Sequence, residues 1–235
     1  MSENSNTDLS WLPSMLQTVD PLFPIGSYAH SYGLEEMVSM GIASTAEDLS
    51  DYLSLNTETN LSQLELPYLR FTYKAISNQS WTDLALLDRE LEASKLSKEI
   101  RHASKAQGQQ RLKLLSKLRP NPIFQKLSDF RDTGKITPNH VTIYAAESVA
   151  LGTPLAPALA SWAYQALAAP CAAALKIMRI GQEGSQTVLT KHIQNIPNLV
   201  ETSLSIERDY AGSFNPLLDI ASDRHERAFA RLFIS

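Results

Sequence analysis

The sequence predicts an all-α fold, a single-domain helical bundle of about eight to ten helices. Apolar residues recur mostly at helical spacing, and β-branched and aromatic residues do not cluster in the alternating runs that are typical of strands. The chain has 235 residues, of which 43% are apolar, so it can bury a sizeable core. We expect one domain over residues 1–235, which begins with a polar tail at residues 1–8.

The first helices are predicted from the residues that interrupt them. A short helix is expected near residues 9–19. Pro21 and Pro24 end it, because proline lacks the amide hydrogen that a helix interior needs. Residues 21–33 then form a loop rich in aromatic and turn residues, and a second helix is expected over residues 34–41.

Further helices are predicted toward the middle of the chain. Ser44 and Glu47 fit a capping box, in which each side chain bonds the other residue's main-chain amide, so a helix should begin there. Residues 81–118 carry leucines at helical spacing and predict one or two long helices. Arg119 precedes a proline, which pushes it out of the α region and ends the helix. From there to Pro138 we expect a loop with a short helical turn.

Residues 148–175 carry no charge, so a membrane span has to be weighed. A spanning helix needs ~20 predominantly apolar residues, whereas this stretch is built of alanine and contains three prolines and several polar side chains. We therefore predict a buried helix and no membrane span, with small side chains that let neighbouring helices approach closely. Beyond it, Gly181, Gly184 and Ser185 should interrupt the next helical piece, and another helix is expected over residues 199–210.

Several functional classes are disfavoured by composition and motifs. The one cysteine, Cys171, rules out an intrachain disulfide framework and a cysteine-rich zinc site. The sequence contains no P-loop and no nucleophile elbow, and none of its five histidines pairs at i, i+4. We predict no catalytic residues, no cofactor and no small-molecule substrate. Residues 1–8 lack the features of a signal peptide, so we expect a cytoplasmic protein.

Charge is distributed unevenly along the chain. Ten of the 25 acidic residues lie in residues 1–69, which contain no Lys or Arg, so the other 15 share the rest of the chain with all 21 basic residues. This asymmetry indicates either partner-facing surfaces or chance segregation on solvated faces. The basic run at residues 95–119 lacks the aromatic residues on which single-stranded bases stack, and the net charge is −4, so we predict no nucleic-acid partner.

Two segments are candidates for binding another protein. In the first, residues 23–35, Tyr28, His30 and Tyr32 alternate with small residues between two glycines. A tight turn could present these side chains to a partner, or the loop could instead plug the core.

The second segment is the C-terminal segment at residues 216–235, which we expect to dock on a partner. Treated as a helix from residue 219, it forms one apolar stripe of Ala221, His225, Phe229 and Leu232, and one basic stripe of Arg224, Arg227 and Arg231. Aromatic anchors with arginines suit docking on a protein. The alternative is a last helix that packs on its own domain.

In these two segments the sequence resembles the urease accessory protein UreF family. The match covers Phe23-Pro24-Ile25-Gly26-Ser27-Tyr28-Ala29-His30-Ser31-Tyr32-Gly33-Leu34-Glu35, Leu218-Asp219-Ile220-Ala221-Ser222 with His225-Glu226, and Arg231-Leu232-Phe233 with Ser235. Between them, Glu99, Arg101, Ser104, Gly108, Lys176, Gly181, Gln182 and Gln186 fit the family's middle and later helices. The chain reads Arg179-Ile180 where the family commonly has Pro-Leu, and the missing proline should let the preceding helix run further toward Gly181.

The resemblance implies an all-α protein, usually a homodimer, without catalytic activity. It implies binding to the accessory protein UreD (UreH in some organisms), recruitment of the GTPase UreG, assembly on apo-urease and support of nickel insertion. The family's C-terminal segment helps to engage UreD/UreH. The expected partner-binding residues are Tyr28, His30, Tyr32, Glu35, Tyr164, Lys176, Gln182, Arg224, His225, Glu226, Phe229, Arg231, Leu232 and Phe233.

Two other interpretations are compatible with the residues alone. One is a small helical metallochaperone or metalloprotein that binds nickel directly through His30, His225 and nearby carboxylates. The other is a helical adaptor for an unrelated partner.

Overall fold

The computed structural model describes residues 8–226 and 231–234, without the side chains of Ala29 and Glu226. These residues hold twelve α-helices and no strand, so the predicted all-α fold class is confirmed. The helices are α1 (Leu12–Val19), α2 (Leu34–Ser39), α3 (Ala46–Tyr52), α4 (Leu66–Ser77), α5 (Trp81–Ala93), α6 (Lys98–Leu118), α7 (Pro122–Asp132), α8 (His140–Ala150), α9 (Leu155–Ile177), α10 (Gly181–Ile193), α11 (Ile196–Ser205) and α12 (Pro216–Glu226).

Helices α3 and α4 belong to one continuous rod over residues 46–77, joined by π-helical turns at Leu53–Glu58 and Leu61–Glu65. A capping box starts this rod: the Asp48 amide donates to the Thr45 hydroxyl at 3.1 Å, and the Thr45 amide donates to the Asp48 carboxylate at 2.8 Å. The predicted pair was Ser44 with the residue at position 47, so the box lies one residue later. The reason is that the Asp48 carboxylate also accepts the Ser44 amide, at 2.8 Å, and so organises the whole turn.

Helix α8 lies at the centre of the core. Its residues 140–148 are all buried, and it packs against α4 on one side and α6 on the other. The approach of α6 depends on Gly108, because a Cβ there would overlap the carbonyl oxygen of Pro138 and lie 2.9 Å from the carbonyl carbon of Asn139. The glycine therefore lets α6 contact the main chain that leads into α8.

The uncharged stretch contributes much of α9, which packs mainly against α10, with further contacts to α11 and α4. Among the described residues, α9 is the one helix that is long and apolar enough to cross a membrane by length and composition, and half of its most apolar window is buried inside the protein. Two hydrogen bonds tie it to its neighbours: the Trp162 indole donates to Glu65 at 2.8 Å, and the Ser185 hydroxyl donates to the Cys171 carbonyl at 2.8 Å. These contacts support the interpretation as a core helix.

Residues 122–132 were predicted as part of a loop, and this prediction is wrong, because they form α7. Pro122 occupies the first turn, where the missing amide hydrogen costs nothing. The Asn121 side chain caps the helix by accepting the Ile123 amide at 2.9 Å.

Two predictions around Gly181 are also wrong. This glycine begins α10 rather than interrupting it, and Gly184 and Ser185 lie inside the helix, where the serine hydroxyl is used to pack on α9. Helix α9 ends at Ile177 and does not continue toward Gly181. Further on, α11 ends at Ser205, five residues before the predicted limit, and a short 3₁₀ turn follows it.

Candidate partner-binding site

The C-terminal helix lies across the start of the chain. Helix α12 packs on α2 and α6, and its residues Ala221 and His225 are buried. Gly33 allows this approach, because it adopts a φ of +84° at the start of α2 and a Cβ there would come to 3.0 Å from the Leu218 side chain. The fold thus joins the two segments that the sequence singled out.

A buried histidine links these segments. The His225 ring is held between two carboxylates: Nε2 lies 2.9 Å from Glu35 of α2, and Nδ1 lies 2.9 Å from Glu99 of α6. The side chain is 1% exposed. Arg231 approaches the same Glu99 oxygen at 3.5 Å and adds a positive charge to the cluster.

Glu35 also binds the main chain that follows. Its two carboxylate oxygens accept the amide hydrogens of Leu232 at 2.7 Å and Phe233 at 3.0 Å. Burial alone would raise the pKa of Glu35, but these amides and His225 outweigh burial and lower it, so Glu35 is ionised at neutral pH. We call this arrangement the Glu35 clasp: the side chains of Glu35, Glu99, His225 and Arg231 with the amides of residues 232 and 233.

The prediction of a helix that continues through Leu232 is wrong, and the clasp explains why. Helix α12 ends at Glu226, and residues 231–234 form bends, so Leu232 does not continue the stripe of Ala221 and His225. The reason is that Glu35 takes main-chain amides that a helix would use internally. Leu232 is consequently 62% exposed, whereas Phe233 is buried. Phe229, Arg227 and the Glu226 side chain lie outside the described residues.

The aromatic loop at residues 23–35 both displays and buries its side chains. Tyr28 is 69% exposed, His30 is buried, and Tyr32 is half-buried. The Tyr32 hydroxyl accepts from Gln107 at 3.1 Å, and burial raises its pKa to about 12. Both interpretations of the loop therefore describe part of it. His30 cannot touch a partner directly in this conformation, since its side chain is buried, whereas Tyr32 keeps part of its surface exposed.

The remaining predicted residues lie on the outside. Tyr164 of α9 and Gln182 of α10 are exposed, and Arg224 of α12 is exposed while it donates to Glu36 at 2.8 Å. Lys176 is exposed, and its ammonium lies 5.1 Å from the centre of the Phe233 ring, a cation–π contact.

These contacts create a surface from three distant parts of the chain. Tyr28 and Lys176 line the same pocket of about 80 Å³, and Lys176 touches the ring next to Leu232 and Ile234, which are 62% and 66% exposed. We call Tyr28, Lys176, Leu232 and Ile234 the composite surface. Its exposed tyrosine is of a type that is enriched where proteins bind proteins, and the two apolar side chains offer area that a partner can bury.

The geometry gives no support to direct nickel binding. No group of three or more His, Cys, Asp or Glu residues within 8–226 and 231–234 is arranged to hold a metal ion. Both ring nitrogens of His225 already face carboxylate oxygens. Burial lowers the pKa of His30 to about 4, and this ring is not part of the clasp.

The sequence motifs gave no sign of a buried polar cluster between α3 and α10. Ser50 Oγ lies 3.0 Å from His192 Nε2, and His192 Nδ1 lies 2.6 Å from Glu58, which is the order of groups in a catalytic triad. Lys191 also donates to the Ser50 hydroxyl at 2.9 Å. The serine is 6% exposed and lies inside a helix, so the cluster ties α3 to α10 rather than presenting a nucleophile. No local motif reveals it, since its members are up to 142 positions apart.

Comparison with known proteins decides the family. The family model described as UreF matches residues 43–192, more than half of the chain. The chain belongs to the UreF family. The matched range includes Lys176 but not Tyr28, Leu232 or Ile234, which fall within the longer similarity to individual relatives.

Those relatives are named urease accessory protein UreF. The protein from Actinobacillus pleuropneumoniae is 27% identical over 224 residues, which cover 95% of this chain and 99% of the relative. The protein from Marinomonas sp. (strain MWYL1) is 29% identical over 229 residues, or 97% and 96% of the two chains. The protein from Haemophilus influenzae (strain PittEE) is 25% identical over 235 residues, the whole of both. The chain is a urease accessory protein of this family and not an enzyme.

Proposed function

We propose that this chain is a cytoplasmic scaffold of urease maturation that binds UreD/UreH, recruits the GTPase UreG to apo-urease and supports nickel insertion. Family membership and the names of the relatives support a role among the urease accessory proteins. The observation that supports binding to UreD/UreH is the composite surface, where the Glu35 clasp holds Leu232 and Ile234 out in solvent beside Tyr28 and Lys176.

The clasp would preorganise the composite surface for binding. Without it, residues 231–234 would have to be ordered when a partner binds, at a cost of about 1–2 kcal/mol for each residue's main chain. With the clasp, the amides of Leu232 and Phe233 are already bonded to Glu35, so the main chain that carries the exposed side chains is ordered before a partner binds. Preorganisation of this kind strengthens binding without any additional contact.

The effect on UreG would be thermodynamic. A scaffold can change GTP turnover only if it binds one conformational state of UreG more tightly than another, which is a coupling free energy of typically ~1–3 kcal/mol. Homodimers of the chain would present the composite surface twice and would bring two UreD/UreH partners together.

The test is reconstitution with the cognate partners. The chain should co-purify with UreD/UreH, the complex should take up UreG in the presence of GTP, and light scattering should report the stoichiometry, including two copies of the chain. Leu232→Asp should weaken UreD/UreH binding at least about tenfold, because it places a charge in an apolar contact. Leu86→Asp is the control, since Leu86 is 48% exposed on α5, which contributes nothing to the composite surface.

Two results would overturn the proposal. One is a folded chain that forms no complex with UreD/UreH. The other is equal loss of binding in both leucine variants, which would place the interface elsewhere. A tight, stoichiometric nickel site in the isolated chain would favour the metallochaperone instead.

A further inference from the structure

A cavity of about 140 Å³, partly open to solvent, lies between the aromatic loop, the rod of residues 46–77 and helices α6, α8 and α9. Ser213, Asn215, Leu218 and Asp219 line one side of it. A single water needs roughly 10–15 Å³ by this measure, so the cavity has room for several waters or one small organic molecule.

Three buried polar atoms around this cavity have no hydrogen-bond partner in the described part of the chain. They are Nζ of Lys95, Nε2 of His140 and Oε1 of Gln165. The residues Lys95 and His140 are only 7% and 6% exposed. Buried polar groups in proteins are nearly always hydrogen-bonded, so these atoms indicate an occupant that supplies both an acceptor and a donor.

The charges of the wall restrict the kind of occupant. Among the described lining residues, Lys95 carries the one ammonium group, and Glu65 and Asp219 carry carboxyl groups. His140 is neutral, because burial holds its pKa well below the ordinary 6.5. One cation against two carboxyl groups leaves no excess positive charge to hold an anion. A simple cation is also unsuited, since it cannot supply the acceptor that the unpartnered Lys95 Nζ needs.

We propose that this cavity is a binding site for a small uncharged molecule of the amide class. Its carbonyl oxygen accepts a hydrogen bond from Lys95 Nζ, and its N–H group donates to Gln165 Oε1. Its carbon atoms pack against Leu61 and Leu64, which also line the cavity. The site is next to the composite surface, because Ser27, Gln165 and Ala169 line both this cavity and the pocket beside Tyr28 and Lys176. The proposal does not depend on the proposed function.

The test uses acetamide as the probe and the Trp162 indole as the reporter. This indole lines the cavity and donates to Glu65, so its N–H resonance should shift when the cavity is occupied. The chain has three tryptophans, and Trp162→Phe assigns the signal. Acetamide should shift it saturably, whereas acetate and isopropylammonium, of similar size but charged, should bind at least about tenfold more weakly.

Variants connect the binding to the two proposed contacts. Lys95→Met should weaken acetamide binding about tenfold or more, through loss of one charge-assisted hydrogen bond. Lys105→Met is the control, because Lys105 is exposed on α6 and does not line the cavity. If Lys95→Met fails to fold, Gln165→Leu tests the same site, with the same expected loss.

Three outcomes would overturn the proposal. The first is the absence of a saturable shift, which would mean that water alone fills the cavity. The second is tighter binding of acetate than of acetamide. The third is wild-type affinity in both Lys95→Met and Gln165→Leu.

Discussion

Replacing Glu35 with glutamine should release the C-terminal segment from the body of the protein. The carboxylate accepts three hydrogen bonds in the clasp, from His225 and from the amides of Leu232 and Phe233. Hydrogen bonds to a charged group contribute about 1.5–3 kcal/mol each in buried settings. Glu35 is partly exposed and glutamine keeps one acceptor oxygen, so a loss of about 2 kcal/mol in docking free energy is the expected magnitude.

Amide hydrogen exchange measures this opening directly. A loss of about 2 kcal/mol corresponds to roughly thirtyfold faster exchange at the amides of residues 232 and 233. The exchange of α8, in the centre of the core, should change little, because none of its residues belongs to the clasp. Glu47→Gln serves as the control, since Glu47 is an exposed residue in the first turn of α3. Unchanged protection of the two amides in Glu35→Gln would refute the reasoning.

Three further predictions concern the core and are checked by urea unfolding. Gly108→Ala should lower the free energy of unfolding by about 2 kcal/mol or more, because the overlap of the new Cβ with the main chain outweighs the ~1 kcal/mol that alanine gains in a helix. Gly212→Ala is the control: it has open space around it, so its free energy of unfolding should change by under about 0.5 kcal/mol. Arg111→Met should cost about 3 kcal/mol, because Glu147, 2.5 Å away, stays behind buried with only the more distant Arg119, at 3.7 Å, to balance its charge. The double variant with Glu147→Gln should recover part of the loss. Burial lowers the pKa of His30 to about 4 in the folded chain, whereas in the unfolded chain this histidine has its ordinary pKa of 6.5. As the pH falls from 6.5 to 4, the unfolded chain therefore binds the proton first, and the free energy of unfolding should fall by up to about 3 kcal/mol. The variant His30→Gln should lack this part of the pH dependence.

The fold class and many helix boundaries follow from local chemistry. Pro120 ends α6 where the sequence predicts it, since a proline affects the residue immediately before it. The same logic failed at Pro122, because a proline that ends one helix can begin the next at its first turn, and only the Asn121 cap distinguishes the two cases. Gly181 was misread in the same way, as a break rather than a beginning.

The candidate site was predictable in its parts but not in its arrangement. The alternation of Tyr28, His30 and Tyr32 singles out the loop, but alternation cannot tell which side faces the core. The partners of Glu35 lie up to 198 positions away, and two of them are main-chain amides that any residue could supply. No local pattern marks such contacts, whereas the family resemblance named their members without showing how they meet.

The Glu35 clasp also sets the order in which the protein becomes complete during synthesis. Glu35 leaves the ribosome 197 residues ahead of Leu232, so at typical elongation rates roughly 10–40 s separate the carboxylate from its main-chain partners. During that time the helices of the core can pack, while the surface of α2 and α6 is not yet covered by the full C-terminal segment. The composite surface therefore arises only after residues 232–234 have been added, and a chain that stops before residue 232 carries the core without the surface.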